Sequence, residues 1–274
     1  MKPAAIFTVD VEDWYHAAVM NRNLTATPYH VPEKRLLHNL QYLADWLEMK
    51  QAKATFFCLA DWPTAINQLL RKLSDKGNEI ASHGVSHKSL HHLNGKQILA
   101  ELRESKEKLE QVVGKQIRGF RAPNFSITDE AIDLLPEAGY DYDSSVFNVK
   151  WHPSYGRLKQ YPIQAKPYAF ENGLKEMPLS TFGPDFFSIP VAGGAYFRHL
   201  PFGLYKRMAY SLAQEGYFHF YIHPWELDGQ HPLPPKIGRT DKFRHFRNLH
   251  KVPERLDIMA DQLQFESIEA YLSR

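Results

Sequence analysis

The chain has 274 residues, 43% of them hydrophobic and 23% charged, with a formal net charge of +2 when histidine is neutral. That composition excludes a disordered chain, and the near balance of charge argues against a protein built to bind nucleic acid. No apolar run reaches the roughly eighteen residues of a membrane-spanning helix, and the opening MKPAAIFTVDVED meets acidic residues too early for a signal peptide, so the expectation is a cytoplasmic protein with one sizeable core.

AAIFTV reads as a strand that runs straight into DVED, where Asp10, Glu12 and Asp13 crowd three carboxylates behind an apolar stretch. Such groups cost free energy unless a cation or a donor compensates them, so something positive is expected nearby. Leu36, Leu40, Leu43 and Leu47 then fall on one face of a helix over EKRLLHNLQYLADWLEMK. KATFFCLA is a second strand, and the lone Cys58 inside it reads as a small buried hydrophobe. A helix over PTAINQLLRKLSDKG opens on Pro63 and closes on Gly77. The strand NEIAS leads into ASHGVSH, whose His83 and His87 would share one side of a helical turn. That is metal-ligand spacing, and two histidines with a carboxylate leave coordination positions open for water or substrate.

Helices over GKQILAELRESKEKLEQVVG and TDEAIDLLPEAG stop at Gly114 and Gly139, where a left-handed cap would sit. Between them the strand IRGFRAP delivers Arg121, which can hold a carboxylate through a bidentate pair. YDYDSS ends another strand at Asp143, a residue that also suits a turn or a helix cap. Residues 148–200, rich in Pro, Gly and aromatics, read as a loop-and-hairpin insertion without a clear helix. A helix over FGLYKRMAYSLAQEG leads to the strand-like YFHFYIHPWE, at whose end His223 brings a titratable proton. Residues 233–274 read as an extension carrying one more helix. Strand and helix alternation predicts an α/β protein with parallel strands, as a barrel or an open sheet, and functional groups at the strand C-termini.

In this order, TVDVEDW, SHGVSH, RAPNF, YDSS and YIHPWE resemble the five motifs of the polysaccharide deacetylases of carbohydrate esterase family 4 (CE4), the NodB-homology family. The resemblance runs over roughly residues 5–227, and VDVEDW with SHG and HPWE looks most like the subset found in bacterial exopolysaccharide and exosortase-associated gene clusters. It implies a distorted barrel of seven strands, (β/α)7, here a domain over residues 1–232 with the 233–274 extension packed on it. It also implies hydrolysis of the acetamido group of an N-acetylated sugar, with a divalent metal, Zn²⁺ by its ligand chemistry, as cofactor. By the same resemblance Asp10 matches the catalytic base, His83 and His87 the metal ligands, Arg121 the residue that orients the base, Asp143 a polar support and His223 the general acid.

The family usually carries two adjacent aspartates in its first motif, but Val11 holds the second, metal-binding place here, so Glu12 or Asp13 must substitute. Register favours Glu12 and residue type favours Asp13. Asn124 and Phe125 stand where an aromatic and a glycine are common, Tyr221 where a leucine is, and Val146 where a tryptophan is, with Trp151 as a candidate replacement. A backbone N–H near Asn124 suits an oxyanion hole, and Asn124, Phe125 and Trp225 are the candidate sugar contacts. The basic KFRHFRNLHK, residues 242–251, fits a solvated surface or contact with a diphosphate-linked glycan carrier better than nucleic acid. Two rival functions stay open: an allantoinase-like hydrolase of a cyclic amide or imide, and a metal-free carbohydrate-binding protein.

Overall fold

The computed structural model describes residues 2–24, 34–149, 158–184, 187–234 and 237–274. Trp151 lies outside the described residues. The first strand, β1 (Ala4–Val11), shows how the fold sorts its side chains. Side chains alternate across a strand. Ala5, Phe7, Val9 and Val11 enter the main core beneath the helices, whereas Ile6 joins Phe57, Ala81, Tyr142 and Met177 in a second cluster inside the curl of the sheet. Thr8 and Asp10 continue the Ile6 row, so one face of β1 climbs from apolar to acidic toward its C-terminal end.

After a short helix, α1 (Ala18–Leu24), the alternating units follow: α2 (Lys34–Met49), β2 (Thr55–Cys58), α3 (Thr64–Asp75), β3 (Glu79–Ser82), α4 (Gly95–Val113), β4 (Gly119–Phe120), α5 (Asp129–Glu137) and β5 (Tyr142–Asp143). Asn94 caps α4 in a capping box with Gln97, Gly114 closes it in the left-handed conformation, and Thr128 caps α5. Two short hairpins come next, β6 (Tyr168–Ala169) with β7 (Lys175–Glu176) and β8 (Thr181–Phe182) with β9 (Ile189–Pro190). They precede α6 (Gly194–His199), α7 (Phe202–Gln214) and β10 (His219–Ile222).

The sheet runs β10-β1-β2-β3-β4-β5-β7-β6, and every pairing from β10 to β7 is parallel. The seven parallel strands form a curled half-barrel, in keeping with the seven-stranded (β/α) barrel expected from the motifs. Irregular chain continues the sheet at two points: Leu179 pairs with Phe147, extending the β5–β7 pairing, and Gly193 pairs with Tyr221 of β10. Gly193 has φ +139°, and a Cβ there would lie 1.9 Å from the Tyr221 carbonyl oxygen, so this close approach requires glycine.

Two expectations need correcting. The stretch read as an insertion supplies β7, a strand of the main sheet, and the helix α6. The tail carries more than one helix: α8 (Arg239–Phe246), α9 (Val252–Gln262) and α10 (Ile268–Leu272), with β11 (Gln264–Glu266) pairing in parallel with the first residues of β1. Phe265 of β11 packs on Phe7 at 4.8 Å between ring centroids, so the tail completes the core.

Candidate active site

The C-terminal ends of the strands converge on a cavity of about 340 Å³ lined by Asp10, Glu12, Asn124, Phe125, His223 and Trp225, among others. Asp10 is 2% exposed, and its Oδ1 accepts from Arg121 Nη1 at 2.6 Å. Arg121 is fully buried, and each of its five N–H groups finds an acceptor. Besides Asp10, these are Thr8 Oγ1 (3.0 Å), the Ser144 carbonyl (2.9 Å), Ser144 Oγ (2.8 Å) and His219 Nε2 (3.1 Å). Guanidinium only donates, so His219 Nε2 accepts; burial, with Arg121 beside it, holds that imidazole well below its ordinary pKa and neutral. Phe57 lies flat beneath the guanidinium at 4.0 Å. The side chain that meets Asp10 is therefore fixed on every side.

Glu12 is two residues beyond Asp10 and shares its side of the strand end. Its Oε1 lies 2.9 Å from His83 Nε2 and 2.7 Å from His87 Nε2, and the three ligand atoms all fall within 4.8 Å of one another. Burial pushes the Glu12 carboxyl up, but the imidazoles of His87 and His83 beside it outweigh that and hold it well below the usual range. The two histidines do not meet through a helical turn: Gly84 at φ +82° and His87 at φ +52° bend the chain back instead.

The donor set fits a cation. His83 Nδ1 donates to the Arg121 carbonyl at 2.7 Å, so in a neutral ring Nε2 keeps only its lone pair. That lone pair faces the Glu12 carboxylate, an acceptor opposite an acceptor, which a bound divalent ion would satisfy.

His223 follows β10. Its Nδ1 lies 3.2 Å from Glu226 Oε2, and its Nε2 lies 3.9 Å from Asp10 Oδ2 and 3.8 Å from Glu12 Oε2. Burial pulls its pKa down, but the Glu226 hydrogen bond and the charges of Glu12, Glu226 and Asp10 lift it to about 9.

The remaining candidates sort differently. Asp13 faces away from the histidines: its Oδ1 accepts from Trp14 N at 2.8 Å and caps a 3₁₀ turn, and burial raises its carboxyl to about 6. Asp143 sits behind Arg121 and accepts from Ser145 N (3.0 Å) and Ser145 Oγ (2.7 Å). It pairs with buried Glu176, whose carboxyl burial and the Asp143 charge push well above the usual range, so Glu176 holds the proton. Asn124 and Phe125 line the cavity in left-handed backbone, at φ +55° and +56°. Trp225 is 4% exposed, and its faces stack on His223 and His245, so it serves as a platform for His223 more than as an open sugar shelf.

Sequence reasoning missed four residues. Glu176 and His219 sit on strands of two and four residues, and Glu226 was read only as part of a motif. His16 also lines the cavity: its Nδ1 accepts from Asp13 N at 3.1 Å, which leaves the proton of the neutral ring on Nε2.

Residues 36–142 match the family model for polysaccharide deacetylase, and residues 144–273 match a domain of unknown function, DUF3473. The first match holds His83, His87 and Arg121, and the second holds His223 and Glu226. A peptidoglycan deacetylase of Helicobacter pylori is 26% identical over 144 residues, covering 48% of this chain and 49% of that protein. The chain spans about a third to a half of the length of the first curated relatives it matches. Among solved structures, a candidate polysaccharide deacetylase from Mycobacterium smegmatis superposes with a TM-score of 0.61 at 19% identity, over 96% of this chain and 86% of that one. A CE4 family pseudoenzyme from Bacillus anthracis superposes at 0.51 with 11% identity, over 99% of this chain and 66% of that one. At these identities the likeness is one of fold, and the fold hosts both active and inactive sites. No helix among the described residues is long and apolar enough to cross a membrane.

Proposed function

We propose that the chain, whose residues 36–142 match the polysaccharide deacetylase model, is a metal-dependent N-deacetylase that removes the acetyl group of an N-acetylated sugar during surface or exopolysaccharide biosynthesis. In this reading Glu12, His83 and His87 hold a divalent ion, and their mixed nitrogen and oxygen donors suit Zn²⁺. When bound, such an ion polarises an acetyl carbonyl and makes a nucleophilic water available at neutral pH.

The other steps belong to this chain's side chains. Asp10, with Oδ1 tied to Arg121, offers Oδ2 to take the proton of the attacking water. His223 enters the reaction protonated and gives its Nε2 proton to the departing amine, without which an amine is a poor leaving group. Asn124 and Phe125 border the sugar, and His16 adds a neutral N–H at the cavity wall. The products are acetate and a free amino sugar. One observation carries the reading: His223 Nε2 lies within 3.9 Å of Asp10 and 3.8 Å of Glu12, so a proton donor, a base and a metal carboxylate face one space.

The test is metal content and acetate release from N-acetylglucosamine oligomers, before chelation, after it, and after Zn²⁺ is returned. We expect about one ion per chain and activity that disappears and recovers. Metal without acetate would redirect the search to cyclic amides. A chain that binds no metal would be a carbohydrate-binding protein.

A further inference from the structure

Asp10 and His223 are each held by a buried charged partner, and the partner of His223 comes from outside the deacetylase match. Glu226 is 1% exposed, and its Oε2 meets both the His223 backbone N–H, at 3.1 Å, and Nδ1, at 3.2 Å. Its Oε1 accepts from Arg198 Nε at 2.9 Å. Arg198, 3% exposed, also donates from Nη1 to the His245 carbonyl. Its own carbonyl accepts from Asn248 Nδ2 at 2.8 Å and from Arg255 Nη1 at 3.1 Å. Trp225 lies between these layers, 5.3 Å from the His223 ring and 4.6 Å from the His245 ring, nearly parallel to both.

A carboxylate this deeply buried is costly unless donors pair with it, and here Arg198 and the His223 N–H groups stand on its two sides. The His223 ring thus lies between two buried ion pairs, Arg198 with Glu226 on one side and Asp10 with Arg121 on the other. With Nδ1–H committed to Glu226 and the ring plane set by Trp225, Nε2 is the nitrogen that faces Asp10 and Glu12. Asp143, the polar support implied by the motifs, is occupied elsewhere with Ser145 and Glu176.

We infer that Glu226, clamped by Arg198, is the positioning residue for His223, and that the segment matched by the domain of unknown function supplies the proton-donor half of the active site: the donor, its carboxylate and the clamp. The role as proton donor rests on the deacetylase reading; the positioning of the ring does not.

Leaving-group dependence separates positioning from a merely structural role. Glu226→Gln keeps the size and one acceptor but removes the charge. We expect acetate release from N-acetylglucosamine oligomers to fall in kcat by about 10²-fold, with KM and metal content held. Hydrolysis of 4-nitrophenyl acetate, whose leaving group needs no proton, should fall by less than about threefold. Arg198→Met should show the same selectivity, more weakly. Equal losses on both substrates, or no loss on the amide, would overturn the inference. If the wild-type protein lacks either activity, the crystal structure of Glu226→Ala decides. A His223 ring turned away from Asp10 and Glu12 supports positioning, and an unmoved ring refutes it.

Discussion

At the N-terminal end of the strands Glu79, 7% exposed, receives Thr55 Oγ1 at 2.5 Å, Tyr142 OH at 2.8 Å and the Glu269 backbone N–H at 2.9 Å. At the C-terminal end Glu12, 4% exposed, faces two imidazoles and a cavity instead. Both are buried glutamates in the same sheet, so burial does not distinguish them. The donors do. Glu79 is answered by neutral hydroxyl and backbone donors, and α10 closes over it. Glu12 is answered by histidines, one of which has already committed its other nitrogen, which leaves lone pairs facing a charge. A closed set of matched donors makes a structural plug, and an unmatched set makes a site.

The comparison predicts different damage at the two ends. Asp10→Asn keeps the shape of the base and removes its charge, so acetate release should fall by about 10³-fold or more in the folded protein with metal content near wild type, while the melting temperature drops because buried Arg121 loses its charged partner. Steady-state kinetics with metal analysis checks this, and an Asp10→Asn protein of near-normal rate would remove Asp10 from the chemistry. Glu79→Ala should spare the chemistry. It strands Thr55, Tyr142 and the Glu269 N–H, at a cost of about 3 kcal/mol in urea unfolding, while the folded fraction keeps its metal and its turnover. If folded Glu79→Ala protein loses metal, the two ends are coupled and the contrast fails.

Much of this division was legible before the fold was known. The apolar run into DVED marked the strand end, and a period of two already put Asp10 with Glu12 and turned Asp13 to the other side. Residue type pulled toward Asp13 because aspartate is the familiar ligand, and only the capping of Trp14 shows what that carboxylate does instead. The His83 and His87 spacing pointed to a shared ligand position, although a glycine turn and a left-handed histidine, not a helix, bring the rings together. Glu176 stayed hidden because a strand of two residues has no periodicity to read. Arg198 stayed hidden for another reason: in YFRHLP it looks like a solvent-facing charge, and its partner Glu226 is far along the chain. Buried ion pairs between distant segments leave no local pattern.

The roof above the site offers a smaller and sharper test. His231 and His245 are buried, with their Nε2 atoms 2.9 Å apart; His231 Nδ1 donates to the Pro232 carbonyl at 3.2 Å, so in the neutral ring its Nε2 accepts from His245 Nε2. Burial lowers His231 to about 4 and, with His231 and Arg198 beside it, His245 to about 2. The groups that face the pair are Asp228 and Arg35 around His231, and Arg198 and His223 around His245. In the unfolded chain both rings return to about 6.5, so the unfolded state binds more protons at mildly acidic pH. The stability this pair contributes is therefore present above about 6.5 and lost as pH falls through the folded values. Glu79, which burial holds above the ordinary carboxylate range, works with the opposite sign and loses its contribution as pH rises. Wild-type stability, followed by urea unfolding, should decline by about 4 kcal/mol between pH 6.5 and 4.5 on account of the roof. His231→Gln with His245→Gln keeps a hydrogen-bonding pair that cannot titrate, and should flatten that limb. An unchanged limb in the double variant would mean that the acid sensitivity lies elsewhere, with His16, which burial lowers to about 4, among the remaining depressed imidazoles.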